Sequence, residues 1–420
     1  MKILYITEYF PPYTKGGAEI STSLVVRYIS KFHQCFVFTQ KHQKETYVFA
    51  GAKVYPILEE TSSGLGNFTE IIRYLILDFW IYPLINFIKA YFFIKKEKID
   101  ILHVVATSDL MIPIIYAAIF THKPVVVDVR GGTLLCPSAF GRPGCFEKSV
   151  KKHDCLSSLS RSTGIWPKRL EIFRFLFAHY RFITFKIFYL LLKIAIGYKK
   201  LIIVALSKYV MEQHLLAGIP KEKLKVIYNM MDVSATKNKN LKNKRIVFAG
   251  RIEKEKGIWD AIKAVEILND DSIEFDIAGS GQEFKNISLY VTKKGLNYIK
   301  LLGKIPNDTL IKLYAKSKII LAPSIWPEPF GRFIQDSISS GTPCIATKVG
   351  GIPEGITDRE TGMLVEPSNP KQLANVIKEL LTNQELYNRI VQNLAQEEYK
   401  YSAEVIGKQR MELYDSLLNH

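Results

Sequence analysis

Pro327-Glu328-Pro329-Phe330-Gly331-Arg332-Phe333-Ile334-Gln335-Asp336, followed by Ser340-Gly341-Thr342-Pro343, sets two carboxylates, Glu328 and Asp336, on either side of a glycine turn. The apolar run Ile319-Ile320-Leu321-Ala322 before it ends at Pro323-Ser324, the pattern of a buried strand closed by a turn. Glu328 falls in the proline-rich loop that follows. Beyond Gly331 the spacing of Phe333, Ile334, Ser337 and Ile338 predicts a helix. Glu328 therefore sits in a loop at the helix start, and Asp336 about two turns along the helix. One carboxylate can face a ligand at the sheet edge, and the other can hydrogen-bond a vicinal diol beside it. Gly331 lets backbone N–H groups approach an anion at the helix N-terminus. In isolation two such acids are as well explained by a surface Glu and a solvated helix Asp, so the flanking residues carry the decision.

Those flanks are Pro323-Ser324, Glu328, Phe330-Gly331, Asp336, Gly341-Thr342-Pro343-Cys344 and Gly350-Gly351-Ile352-Pro353-Glu354. Together they resemble the E-x7-E signature of the retaining glycosyltransferases of family 4, with Asp336 where that family usually has Glu. Upstream, the strand-like Arg245-Ile246-Val247-Phe248-Ala249 runs into Gly250-Arg251 and Lys256-Gly257, and a helix follows. A glycine turn with two cations at a helix start is an anion site. Arg251 can grip phosphate through its planar fork, and Lys256 adds a point charge. A solvated charged loop is the blander reading. The stretch resembles the family's Gly-Arg…Lys-Gly, as Gly279-Ser280-Gly281, Leu301–Lys304 and Leu310–Ala315 resemble the elements between the two motifs.

The first half repeats the alternation. Ile3–Thr7, Cys35–Gln40, Ala52–Ile57, Ile101–Val105, Val125–Val129 and Leu201–Leu206 read as strands separated by helical segments, the pattern of a parallel sheet. After the first strand, Pro11-Pro12 and Gly16-Gly17-Ala18-Glu19 make a glycine loop and a helix start. A glycine pair in a turn is also structurally commonplace, and no G-x-G-x-x-G is present. The loop resembles the opening of family 4 chains, where it faces the cleft. Asp100-Ile101-Leu102-His103 resembles the family's Asp-x-x-His strand end, although a lone His there is more often structural. Arg130 stands in the turn where many members carry a His. A guanidinium cannot act as a base, but it can pair with phosphate.

The resemblance implies an α/β protein of GT-B architecture, with two Rossmann-like doubly wound domains facing across a cleft. Residues 1–235 are expected to bind the acceptor, with a helix from about 400 to 420 packing back on them. Residues 236–399 are expected to hold a nucleotide sugar. The resemblance assigns Arg251 and Lys256 to the donor diphosphate and Glu328 to the sugar hydroxyls near the reacting carbon. Phe330-Gly331 shape the backbone approach, Asp336 holds the ribose, and Gly16-Gly17 close on the donor. Arg130 and His103 fall on the acceptor side. No metal and no cofactor beyond the donor are expected. A nucleotide-sugar epimerase and a non-catalytic membrane-binding protein on the same fold are the competing readings.

The chain has 420 residues, 48% of them hydrophobic, and a net charge of +17, which fits a folded protein of two or three domains. Residues 151–200 alone hold eleven Lys/Arg against two Asp/Glu. Two aromatic-rich segments, Ile71–Ile94 and Arg169–Tyr198, bear on this charge. If the second is one helix, Arg174, Arg181, Lys186 and Lys193 fall within about 140° of its circumference. That is the pattern of a basic amphipathic helix at a membrane interface, or equally of a core helix with a solvated edge. Nucleic acid is disfavoured, because no readout motif accompanies the charge. No export signal and no apolar run long enough to span a bilayer are read, so the expectation is cytoplasmic, with peripheral membrane contact. Cys35, Cys136, Cys145, Cys155 and Cys344 are then expected as thiols. Cys136, Cys145, His153 and Cys155 share a loop whose spacing is not that of a standard zinc site, and a metal there is left open.

Overall fold

The computed structural model describes residues 1–13, 17–40, 45–59, 77, 80–105, 111–131, 171–232 and 244–419, with all of their side chains except those of 111, 171–178, 181 and 185. Gly16 and the loop with Cys136, Cys145, His153 and Cys155 lie outside the described residues, as do most of Ile71–Ile94's first third and the Lys- and Asn-rich stretch from 233 to 243. The chain forms two compact units, Met1–Asn229 with Ile406–His420, and Met230–Val405.

The first unit is built on an eight-stranded sheet of order β3-β4-β2-β1-β5-β6-β7-β8. The strands are β1 Lys2–Ile6, β2 Gln34–Gln40, β3 Tyr47–Phe49, β4 Ala52–Leu58, β5 Ile101–Val104, β6 Val125–Val129, β7 Leu201–Ala205 and β8 Leu224–Val226. All pairings are parallel except the edge pair β3/β4. The central strands are Val/Ile/Leu-rich and buried along their whole length, as a sheet covered on both faces requires. The helices are α1 Gly17–Ile29, α2 Tyr82–Glu97, α3 Met111–Phe120, α4 Glu171–Ile196 and α5 Lys208–Leu216. α3 lies between α2 and α4, through the Phe87–Phe120 edge contact and a hydrogen bond from Tyr116 Oη to the Leu191 carbonyl.

The second unit has a six-stranded, all-parallel sheet of order β11-β10-β9-β12-β13-β14. Its elements run β9 Lys244–Ala249, α6 Ile258–Leu268, β10 Ile273–Ala278, α7 Phe284–Lys294, β11 Ile299–Gly303, α8 Asn307–Ala315, β12 Ile319–Ala322, α9 Arg332–Ser340, β13 Cys344–Thr347 and β14 Met363–Val365. Helices α10 Pro370–Thr382 and α11 Gln384–Glu397 follow, and α12 Ala403–Leu418 carries the chain into the first unit. Strand order reverses between β9 and β12. In one direction the chain steps β9, β10, β11, and in the other β12, β13, β14. Such a reversal leaves a crevice at the carboxyl ends of the two central strands, the place where open α/β sheets bind ligands.

Candidate active site

Lys256 follows β9 and Glu328 follows β12, so the reversal itself brings them together. Lys256 Nζ donates to Glu328 Oε1 at 2.5 Å, and both side chains keep some exposure, 21% and 13%. Backbone contacts fix the pairing. The Glu255 carbonyl accepts from the N–H groups of Ile325 and Trp326 and from Ser324 Oγ. Gly257 has φ +69°, and a Cβ there would lie 1.7 Å from the Pro323 carbonyl oxygen. Only glycine lets the start of α6 press this closely against the end of β12. On the other side Gly351 N–H donates to the Glu328 carbonyl at 2.7 Å, and a Cβ on Gly350 would sit 2.3 Å from the same oxygen. The glycine pair 350–351 thus backs the loop that presents Glu328.

Two helices begin at this crevice, α6 after Gly257 and α9 after Gly331, and neither has a side-chain cap on its first turn. Gly331 adopts φ +93°. A helix start without a capping side chain leaves N–H donors and a partial positive charge for an anion. Arg251 is more than half exposed, and the carboxylate it meets is Glu253, at 2.8 Å. Phe330, expected in the donor site, turns its ring inward. It is 1% exposed, packs against Tyr401 with ring centroids 5.7 Å apart, and would be hit by a Cβ on Gly355. What it leaves for a ligand is backbone. Asp336 lies on the same face of α9 as Arg332, which the sequence reading passed over. Arg332 Nε stands 3.5 Å from Asp336 Oδ1. Burial pushes the Asp336 pKa upward, and Arg332 opposes it.

The expected acceptor-side groups belong to the first unit. Arg130 donates from Nη1 to Asn229 Oδ1 at 3.1 Å and from Nη2 to Thr22 Oγ1 at 3.2 Å, and lies 3.7 Å from Asp128. His103 is 1% exposed. Its Nδ1 meets Tyr414 Oη at 2.6 Å and its Nε2 meets Asp128 Oδ1 at 3.0 Å. Arg410 of α12 donates to the same Asp128 oxygen at 2.9 Å, and Tyr414 Oη reaches Tyr5 Oη at 3.1 Å. An acceptor-side role for His103 does not fit this place: both ring nitrogens are committed to a sealed network. Burial and the nearby arginines hold His103 below the usual imidazole range against the pull of Asp128. Burial would raise the Asp128 pKa, but Arg410 and His103 outweigh it and hold the carboxyl well below its usual range. Gly17 opens α1, with Ser21 Oγ donating to its carbonyl. Among the described residues, no cluster of His, Cys, Asp and Glu is placed to hold a metal ion.

The family model for glycosyl transferases group 1 matches residues 218–397, the stretch that carries both halves of this crevice. Over those residues the chain is similar to the glycosyl transferases of group 1. An uncharacterized glycosyltransferase of Methanocaldococcus jannaschii is 30% identical over 213 residues, covering 46% of this chain and 54% of that protein. A D-inositol 3-phosphate glycosyltransferase of Corynebacterium urealyticum is 27% identical, over 42% of this chain and 44% of its own. The match thus spans about half the length of these relatives. Among solved structures, HepE of Anabaena in complex with UDP-glucose superposes with a TM-score of 0.67 at 18% identity, over 99% of this chain and 100% of that one. Sucrose-phosphate synthase of Thermosynechococcus elongatus gives 0.69 at 16%, over 100% and 99%. The fold is that of the GT-B glycosyltransferases, as the group 1 signature implies.

Proposed function

We propose that the chain is a retaining, metal-independent glycosyltransferase that moves a sugar from a nucleotide-sugar donor to a saccharide or lipid-linked saccharide acceptor, in the assembly of a surface polysaccharide or related glycan. The observation that carries the reading is the Lys256–Glu328 pair at the strand-order reversal, between two helix starts that lack side-chain caps. Transfer from a nucleotide sugar must stabilise a departing diphosphate. A fixed ammonium and preorganised N–H dipoles supply that in a site largely shielded from water. Glu328 holds Lys256 through its carboxylate. When a donor binds, the diphosphate takes over the ammonium and the carboxylate turns to the sugar hydroxyls. The pair is therefore a placeholder for the ligand's own charge pattern. UDP-glucose in the HepE complex supports a nucleotide-sugar donor for this fold.

In this reading the acceptor binds to the first unit. α4 carries an outward row of Ile183, Ile187, Leu190 and Ile194, each at least 40% exposed, within a stripe about 60° wide. Lys186 and Lys193 flank the row, while α2 adds Leu84, Ile88 and Phe92, and α3 adds Phe120. Apolar side chains edged by lysines suit the interface of an anionic bilayer, which fits a lipid-linked acceptor. Among the described residues no helix is long and apolar enough to cross a membrane.

A panel of nucleotide sugars screened by thermal shift tests the donor site. One of them is expected to raise Tm, since a ligand bound only by the folded state must stabilise it. Lys256→Met and Glu328→Ala are expected to abolish the shift. A shift untouched by both would put the site elsewhere. Retention is read from the anomeric configuration of the product by NMR. Flotation with anionic liposomes at low salt tests the surface, and failure to float would remove it.

A further inference from the structure

Arg332 lies inside the signature yet belongs to none of its expected roles. Two of its guanidinium nitrogens, Nε and Nη1, are shut off from solvent and have no hydrogen-bond acceptor among the described residues. Its partner by charge is Asp336, four residues on along α9, at a distance too long for a hydrogen bond. Asp336 is equally enclosed, with 13% of its side chain exposed. The groups that face it are Arg332 on its own helix and Tyr314 of α8, with Cys344 of β13 beyond. Tyr314 and Cys344 are both held neutral by burial, their pKa values pushed up. Arg332 is the one cation in this set. A carboxylic acid can accept a diol only as its anion, because the neutral form gives up one acceptor to a proton. A buried anion needs a counter-charge to stay ionised.

We propose that Arg332 is a positioning residue that keeps Asp336 as the two-fold acceptor for the ribose diol of a bound nucleotide, an inference that rests on the donor-site reading above. The aspartate is one methylene shorter than the family's glutamate, and the arginine one turn before it holds the shorter side chain toward the crevice. Binding closes the pair: the diol donates to both carboxylate oxygens, and the guanidinium, held beside them, balances the charge.

The test is ligand chemistry crossed with mutation. Affinities of UDP, GDP, ADP and CDP are measured by calorimetry at pH 6 and pH 8, each against its 2′,3′-dideoxy analogue, and the tightest pair is followed. Wild type is expected to prefer the ribonucleotide by about 10–100-fold, the range for hydrogen bonds to a charged group. In Arg332→Gln the preference falls to within about threefold, the fall being larger at the lower pH because burial without the guanidinium favours the neutral carboxyl, and the dideoxy affinity stays unchanged. Arg332→Lys retains an intermediate preference. Equal loss for both nucleotides would mean that Arg332 grips phosphate or merely supports the fold, and would overturn the assignment. An unchanged preference would do the same. If Arg332→Gln does not fold, Asp336→Asn carries the test: it must lose the ribose preference and keep the dideoxy affinity. Wild type binding no nucleotide would sink the donor-site reading and this assignment with it, a result distinct from a preference that survives mutation.

Discussion

Both sheets reverse their strand order, and the two reversals are put to opposite use. In the second unit the ends of β9 and β12 hold Lys256 and Glu328, a pair with 21% and 13% of its side chains exposed. In the first unit the ends of β1, β5 and β6 hold Tyr5, His103 and Asp128, all but sealed, with Arg410 and Tyr414 of α12 closing the group. One reversal is open to a ligand and the other is filled by the chain's own C-terminal helix. An ion pair that keeps some exposure to solvent contributes less to stability than a sealed one and can be exchanged for ligand contacts. A fully buried one cannot be broken without stranding a charge. The same sheet topology thus gives a site in one unit and a fastening in the other, and the accessibility of the charges separates them.

The strongest way to break this comparison is Arg410→Ala. It leaves Asp128 ionised, buried and short of its main counter-charge, which costs about 3–5 kcal/mol. Urea unfolding of the full chain should show the loss, and a change below about 1 kcal/mol would mean that the network is not a fastening. Next comes Glu328→Gln. Removing one preorganised group at a site of developing charge typically costs about 3–4 kcal/mol of barrier, or a hundredfold or more in kcat. Stability should move by less than about 1 kcal/mol, because the pair is partly exposed. Transfer rates and urea curves on the same preparation separate the two effects, and a variant that lost stability before activity would merge the two regions into one class. Gly257→Ala sits between them. Its Cβ would enter the Pro323 carbonyl, so the start of α6 must retreat from β12, at a cost of about 2–3 kcal/mol. It should weaken nucleotide binding as well, because Lys256 moves with it.

How far the sequence showed these regions follows from the separation of the partners. Strand and helix alternation was legible throughout, because buried parallel strands are nearly unbroken apolar runs. The second unit's crevice was legible too. Gly250-Arg251, Lys256-Gly257 and Glu328 are each local motifs whose residue types fit anion and sugar chemistry, and Lys256 and Glu328 proved to be paired. Arg332 was within reach of the sequence, since arginine four residues before an aspartate on a helix is a neighbouring pair; attention to the acids and glycines passed it over. Phe330 was read by its place in the motif, but its side chain follows hydrophobicity into the core. The fastening of the first unit was not legible. His103 meets Asp128 from the neighbouring strand and Arg410 some 300 residues on. Nothing local marks Arg410 and Tyr414 apart from any other polar face of a helix, and a lone histidine at a strand end gives no hint of a buried partner.

The smallest expected effect compares the two buried aspartates. In the folded chain Asp128 is held below its ordinary pKa, so its ionised form adds stability that is present above the unfolded value of about 4 and lost as pH falls. His103, also lowered, adds in the same direction, because protonating it in place is unfavourable. Asp336 is shifted the other way, net of Arg332, so its ionisation weakens the fold as pH rises through and beyond the unfolded value. Asp128→Asn should therefore be less stable than wild type at pH 7, with the gap persisting down to about pH 4 and narrowing only as the pH falls below it. Asp336→Asn should match wild type in acid and exceed it at pH 7 by about 0.5–1 kcal/mol, the low end of what a single stabilising substitution commonly gives. Urea titrations at the two pH values resolve both signs. A ligand site tolerates a carboxylate that the empty fold disfavours, because binding returns what ionisation cost; a fastening has no ligand to do so. Asp336→Asn proving less stable than wild type at pH 7 would place that residue with Asp128, among the groups that hold the chain together.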